Sequence, residues 1–163
     1  PMPTVDHVDL NRFMGDWYVI ASIPTLFEKD SYNAVERYER VGPQKIQTTF
    51  TYREGAFDGP LNTMTPVGYV SDSNPAQWGM QFIWPIKADY RIVWLTPDYS
   101  QTIIARNKRD YVWIMARAPH IPDGDYRRIV EFVAGIGYDV SKLRKVPQET
   151  REPGAEPGEA CRS

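Results

Sequence analysis

The chain has 163 residues, a length typical of one domain that can bury a core without disulfides or metal. Lys and Arg number 19 against 21 Asp and Glu, a net charge of -2, and no basic cluster interleaves with aromatic residues, which argues against nucleic-acid binding. Aromatic residues make up 13% of the sequence, a content that suits a β-rich core or a ligand cavity.

Strand-like segments dominate the middle of the chain. Residues 1–7 lack hydrophobic periodicity and are expected to form a flexible segment, and Val8 to Met14 favour one short helical turn. After Gly15, runs rich in β-branched and aromatic residues alternate with Gly, Pro, Asn or Asp, which is typical of strands and turns. The predicted strands are 16–24, 33–41, 44–53, 64–71, 77–84, 89–96, 101–107 and 111–118. Their spacing indicates an all-β domain, either an up-and-down antiparallel barrel or a sandwich.

Alternation along these strands marks one face as the candidate interior, because successive side chains of a strand point to opposite sides. Ten large apolar or aromatic residues fall on that face and are the candidate ligand contacts: Phe50, Tyr52, Trp78, Met80, Phe82, Trp84, Tyr90, Trp94, Tyr111 and Trp113. The other face of the eighth strand is apolar too, at Val112, Ile114 and Ala116, so it must also be covered.

A helix is predicted over 123–136 as the cover for that second face. Its apolar residues recur at helical spacing at Tyr126, Ile129, Val130, Val133 and Ile136. Asp123 or Asp125 is the expected cap, and Gly135 or Gly137 the expected end. A short ninth strand follows at about 142–146.

The end of the sequence changes composition at Pro147. Residues 147–163 are rich in Pro, Glu, Gly and Arg and contain no aromatic residue, which predicts a disordered tail after a domain of residues 8–146. The single cysteine, Cys161, falls in this tail and has no partner for an internal disulfide, so a free thiol is expected.

Several motifs occur in a fixed order along the chain. Gly15-Asp16-Trp17-Tyr18 opens the first strand, Pro97-Asp98-Tyr99 lies in a later turn, and Arg117 ends the eighth strand. With the segments 109–117 and 137–143, they resemble the lipocalins, in particular the bacterial outer-membrane lipocalins and their plant temperature-induced and apolipoprotein-D-like relatives. The resemblance covers roughly residues 8–148, and Pro97, inserted after Thr96 in the second motif, departs from the family pattern.

The resemblance implies a calyx: an eight-stranded antiparallel up-and-down barrel with the helix packed outside. Gly15, Trp17, Asp98, Tyr99 and Arg117 then have structural roles. Trp17 is expected to close the blunt end, with the Arg117 guanidinium across its indole and donating to carbonyls of the 8–14 turn.

The interior of such a barrel is either filled by side chains or holds one small ligand, and residue chemistry alone leaves both open. The resemblance implies a pocket for a fatty acid or lysophospholipid, carried or stored in cell-envelope lipid maintenance. Lys87 or Arg91 is a candidate for pairing with a headgroup, and Tyr38 and Tyr69 remain unassigned to either face.

The resemblance also implies a location in the periplasm or outer membrane, with a lipid anchor if a lipobox cysteine precedes residue 1. A monomer or homodimer is expected, and peripheral membrane association is compatible with this class.

Catalysis, metal binding and cofactors find little support. His7 and His120 lie outside the predicted strands and beside no nucleophile, and no inward histidine offers a haem ligand. Cys161 lies in the tail, where it would not serve as a catalytic cysteine inside the barrel. Two alternatives to ligand binding remain: an interaction or assembly module with a filled barrel, and an enzyme acting on an apolar substrate. The enzyme would require Glu36 or Glu54 buried beside a polar partner.

Overall fold

A computed structural model describes residues 2–25 and 28–149. These ranges contain ten strands, two α-helices and a short 3-10 turn at Val140–Lys142. The helices are α1 (Leu10–Phe13) and α2 (Asp123–Gly135). The strands are β1 (Gly15–Ile23), β2 (Ser31–Gly42), β3 (Lys45–Glu54), β4 (Leu61–Met64), β5 (Val67–Val70), β6 (Gln77–Ile83), β7 (Ile86–Leu95), β8 (Gln101–Ala105), β9 (Val112–Ala116) and β10 (Arg144–Lys145).

The strands form a closed antiparallel barrel. The order around the wall is β1-β2-β3-β5-β6-β7-β8-β9, and β9 returns to pair with β1. The predicted strand 64–71 is divided at Pro66 into β4 and β5, which pair with different parts of β3. Proline has no N–H to give to a ladder, so the pairing is interrupted there. The short β10 pairs with β1 from outside the ring. The predicted barrel is thus confirmed, with β4 and β10 as additions to the eight-strand ring.

Two apolar cores lie on the two sides of the barrel wall. One lies inside the barrel, and the other lies between the outer face of β9 and α2. Ile129 and Val133 of α2 are buried in the second core together with Val112 and Ile114, as the two-sided apolar pattern of this strand predicts.

The two ends of α2 differ in how well they match the prediction. Pro122 is the N-cap and provides no side-chain cap bond, so the expected capping by Asp123 or Asp125 is wrong; both instead lie in the first turn. There their charges favour the positive end of the helix dipole. Gly137 follows the C-cap with φ +103°, and a Cβ at this position would lie 2.8 Å from Arg109 Nε. Glycine therefore ends the helix where a side chain would collide.

The blunt end is closed by Trp17 and Arg117, as the resemblance predicts. The Arg117 guanidinium carbon lies 3.8 Å from the centre of the fully buried Trp17 ring. Its nitrogens donate to the carbonyl oxygens of Arg12, Met14 and Asp16 at 2.8–2.9 Å. One side chain thus holds α1 across the end of the barrel through a cation–π contact and several hydrogen bonds.

The Asp98-Tyr99 turn joins the same closed end. The Tyr99 hydroxyl accepts a hydrogen bond from the backbone N–H of Asp9 at 2.8 Å, and its ring lies under the Arg12 guanidinium. The Asp98 carboxylate accepts hydrogen bonds from the hydroxyl and the backbone N–H of Ser100, and hydrogen bonding lowers the pKa of Asp98.

Both ends of the described chain pack on the barrel. Met2 is buried, and the Val5 N–H donates to the Ile92 carbonyl at 3.0 Å. Gln148 is buried as well and donates from Nε2 to the carbonyls of Val19 and Ala34. The packed region therefore extends beyond the predicted boundaries at residues 8 and 146. Residues 150–163, with Cys161, lie outside the described residues, so the predicted tail stays a prediction there.

Neither described helix is long and apolar enough to cross a bilayer.

Candidate ligand-binding site

A cavity of about 590 Å³ opens at the end of the barrel opposite Trp17. It is enclosed by the loops after β1 and β8, by the break between β4 and β5, and by the tip of β6. The lining residues are Thr25, Glu28, Met64, Thr65, Pro66, Phe82, Ile83, Ala88, Arg106, Tyr111 and Trp113. Its size lies within the range of pockets that enclose small organic ligands, and most of its lining side chains are apolar.

The ten predicted ligand contacts occupy three different places. The buried interior below the cavity contains Phe50, Tyr52, Trp78, Met80 and Tyr90. The cavity itself is lined by Phe82, Tyr111 and Trp113. Trp84 and Trp94 lie in neither place. Ligand contact by the eight residues of the first two groups stays a prediction.

Trp94 lies on the outside of the barrel, so its predicted inward position is wrong. Its ring packs against Phe132 of α2, with 4.9 Å between ring centres. The pairing of β7 with β8 shifts between Ile92 and Trp94, which is a β-bulge. A bulge inserts one residue and reverses the alternation beyond it. Ile92 therefore packs in the interior, while Val93 and Trp94 both pack in the outer core.

Trp84 also departs from the predicted row. It follows the last residue of β6 in the turn to β7 and is 81% exposed. The ladder between β6 and β7 becomes irregular after Met80, so the alternation that placed Met80 inside does not extend to the turn. Phe82 lies between the inward Met80 and the exposed Trp84, and it lines the cavity while remaining 53% exposed.

Glu28 is a buried carboxyl in the cavity wall that sequence reasoning missed. It is only 6% exposed, and Oε1 accepts hydrogen bonds from Trp113 Nε1 at 2.9 Å and from the Thr25 N–H at 3.3 Å. Burial raises the pKa of Glu28, and these hydrogen bonds oppose the increase. It lies in a turn after β1, where no periodicity distinguishes an inward residue from a solvated one.

Glu36 is a second interior carboxyl. It lies on β2 between the inward residues Ala34 and Tyr38, and pairs in register with Trp17 and Phe50. It is 8% exposed and takes part in none of the ion pairs among the described residues. Burial raises the pKa of Glu36 well above its usual value, and the charge of Glu28 raises it further. Glu54, the other glutamate named from the sequence, is exposed and accepts from Asn62.

The two tyrosines that the sequence left unassigned lie on opposite sides of the wall. Tyr38 is fully buried inside, where its hydroxyl is hydrogen bonded to that of Tyr90. Burial raises the pKa of both hydroxyls. Tyr69 faces outward, with the Lys87 ammonium 4.1 Å from its ring centre. Lys87 is thus on the outer surface.

The cation at the cavity is Arg106, whereas Arg91 is occupied elsewhere. Arg91 pairs with Asp89 and donates to the Met2 carbonyl. Neither Arg91 nor Lys87 lines the cavity, so their predicted pairing with a headgroup is not supported by the geometry. Arg106 is itself paired with Asp110 at 2.8 Å and donates to the Asp89 carbonyl, so its charge is already balanced by a carboxylate.

A closed barrel, sealed at one end by Trp17 and Arg117 and open to a cavity at the other, is a calyx. A family model described as a lipocalin-like domain matches residues 8–148, and the chain belongs to the lipocalin family. Lipocalins bind small hydrophobic ligands, and family members are generally binding or carrier proteins.

Proteins similar to this chain occur in organisms as different as a plant, a bacterium and a lobster. Temperature-induced lipocalin-1 of Arabidopsis thaliana is 30% identical over 161 residues, covering 93% of this chain and 86% of the relative. Outer membrane lipoprotein Blc of Escherichia coli is 27% identical, covering 88% and 81%. The crystal structure of lobster apocrustacyanin A1 matches with a TM-score of 0.68 at 14% identity, covering 86% of this chain and 79% of that one. The last similarity shows the fold alone.

Proposed function

We propose that the protein carries or stores a small apolar ligand in the cavity, with fatty acids and lysophospholipids as the first ligand classes to test. The observation that carries this proposal is the cavity of about 590 Å³ among Met64, Pro66, Phe82 and Trp113. Apolar surface buried in such a space contributes roughly 25 cal/mol per Å². A filled barrel acting as an interaction module would leave no such space.

The test is equilibrium binding by delipidated protein. A neutral apolar fluorescent probe should bind saturably and be displaced by lipids, and mass spectrometry of the purified protein should identify co-purified lipids. Trp113 lines the cavity, so bound ligand should change its fluorescence. Trp113→Phe should remove most of that change, whereas Trp94→Phe, on the outer face, should keep it. Absence of saturable binding by any apolar probe would contradict the proposal.

The tip of the β6–β7 hairpin supports peripheral association with a lipid surface. Ile83, Trp84 and Ile86 are its exposed apolar residues, and Ile83 with Phe82 also lines the cavity. Tryptophan is enriched at membrane interfaces because its ring is amphipathic. A ligand could therefore pass from the lipid surface into the barrel without crossing water. A location in the periplasm or outer membrane is consistent with the similarity to Blc.

The sequence named Glu36 and Glu54 as candidates for an enzymatic function. Glu36 is the buried one, so an enzymatic function would use it. Glu36 takes part in none of the ion pairs among the described residues, and a general acid or base needs a partner or substrate proton within reach. The geometry therefore supports ligand binding better than catalysis.

A further inference from the structure

Among the residues that the structure describes, two carboxyls, Glu28 and Glu36, lie in the barrel interior, and no cation is paired with either. Ion pairs among the described residues involve Asp16, Asp89, Asp110 and Asp125, but neither Glu28 nor Glu36. Glu28 faces the cavity directly, and Glu36 lies further along the same interior. Tyr38 lies two residues from Glu36 on the same inward face of β2 and is hydrogen bonded to Tyr90, and all three side chains are buried.

The other polar groups in this space do not satisfy Glu36. Tyr38 and Tyr90 are bonded to each other. Thr48 Oγ1 is buried and also lacks a partner, and Tyr52 is close enough to Glu28 for that carboxylate to raise its pKa. Arg117 acts on Tyr38 from the closed end but is occupied by Trp17 and backbone carbonyls. None of these hydroxyl groups is hydrogen bonded to Glu36, and no cation among the described residues is paired with it.

A buried carboxyl without a partner costs free energy, whether it stays charged or becomes protonated. The hydrocarbon end of a ligand placed beside Glu36 would leave this cost in place. An ionised ligand carboxylate would add like-charge repulsion. A group that brings N–H donors and positive charge would remove the cost by forming charge-assisted hydrogen bonds.

We propose that the cavity selects apolar ligands bearing a protonated amine, whose ammonium group pairs with Glu28 and Glu36 while its hydrocarbon part lies toward Trp113 and the mouth. This proposal rests on the function proposed above and narrows it. Lipids with a primary amine in the headgroup fit the site, and free fatty acids fit it poorly.

The test compares three ligands with the same chain and different ends: dodecylamine, dodecanol and dodecanoate, each displacing the neutral fluorescent probe. The amine should bind about tenfold or more tightly than the alcohol, as expected for a hydrogen-bonded charge pair, and dodecanoate should bind more weakly. Glu36→Gln and Glu28→Gln should each reduce the ratio of amine affinity to alcohol affinity by about tenfold. Glu39→Gln, exposed on the outward face of the same strand, should behave as wild type.

The pH dependence gives a second readout. Since the carboxyls must ionise to pair with the ammonium group, amine binding should release protons, and affinity should rise with pH until the amine itself deprotonates. Dodecanoate should show the opposite slope. Calorimetry in two buffers of different ionisation enthalpy measures the proton count.

Two results would overturn the proposal while leaving the proposed function intact: equal binding of amine and alcohol, or an amine preference that survives both glutamine substitutions. If the probe itself fails to bind, or no ligand displaces it, the proposed function fails as well. Glu28→Gln keeps the test decisive if Glu36→Gln does not fold.

Discussion

Trp113 donates a hydrogen bond from Nε1 to Glu28 Oε1 across 2.9 Å, joining β9 to the segment after β1 in the cavity wall. The indole ring presents an apolar surface to the cavity, while its N–H partly satisfies a buried carboxyl. This one contact therefore combines the two properties of the site, an apolar lining and a buried carboxyl.

Trp113→Phe should destabilise the protein by about 1–3 kcal/mol, because the buried Glu28 carboxyl loses its side-chain donor. The matched control is Trp94→Phe, since Trp94 Nε1 is buried without a partner and its removal takes away an unsatisfied group. Urea unfolding measures both. Equal destabilisation of the two variants would show that the hydrogen bond to Glu28 contributes nothing measurable.

Glu36 should make the protein less stable as pH rises. Its folded pKa is raised well above the usual 4.5, so its contribution is most favourable below the unfolded pKa and is lost as pH rises through the folded pKa. Glu36→Gln should therefore gain stability relative to wild type as the pH is raised from about 5 to about 8. Urea unfolding at both pH values measures the difference, with Glu39→Gln as the control. Parallel pH profiles for Glu36→Gln and wild type would contradict the prediction.

Arg117→Lys should destabilise the closed end by about 1–3 kcal/mol. Lysine keeps the charge but lacks the planar group that lies on Trp17 and donates to several carbonyls at once. Arg37→Lys is the control, because Arg37 pairs with Asp16 at the surface, and exposed pairs contribute little. Guanidinium unfolding compares the two. A fully stable Arg117→Lys variant would mean that the charge alone is sufficient.

Trp84→Ser should lower binding to lipid vesicles by about tenfold, since a large exposed ring that enters the interface would be removed. Probe binding in solution should not change, because Trp84 does not line the cavity. Val41→Ser is the control, an exposed apolar residue at the closed end of the barrel. Co-sedimentation with phospholipid vesicles measures the effect. Similar losses for both variants would indicate general surface hydrophobicity instead of docking by the hairpin.

The sequence by itself determined the strands and the covering helix, and its resemblance to a known family implied the barrel and its closed end. Alternation in β3 placed Phe50 and Tyr52 inside, and the spacing of Ile129 and Val133 identified the helix that covers β9. These features could be read because side-chain direction within a regular strand or helix follows local geometry alone. The role of Arg117 depended on a motif in which residue type and order were sufficient.

Only the tertiary structure decided which residues form the site. Trp94 moved outside because a bulge, set by pairing with β8, reversed the alternation of β7. Glu28 entered the cavity wall from a turn, where the position of a side chain depends on distant contacts such as that with Trp113. Strand alternation in β2 places Glu36 on the same face as Ala34 and Tyr38, but it does not determine whether that face is shielded from solvent. Closure of the barrel buries Glu36. The placement of these carboxyls inside the barrel thus depends on how the strands and turns meet, which no local pattern records.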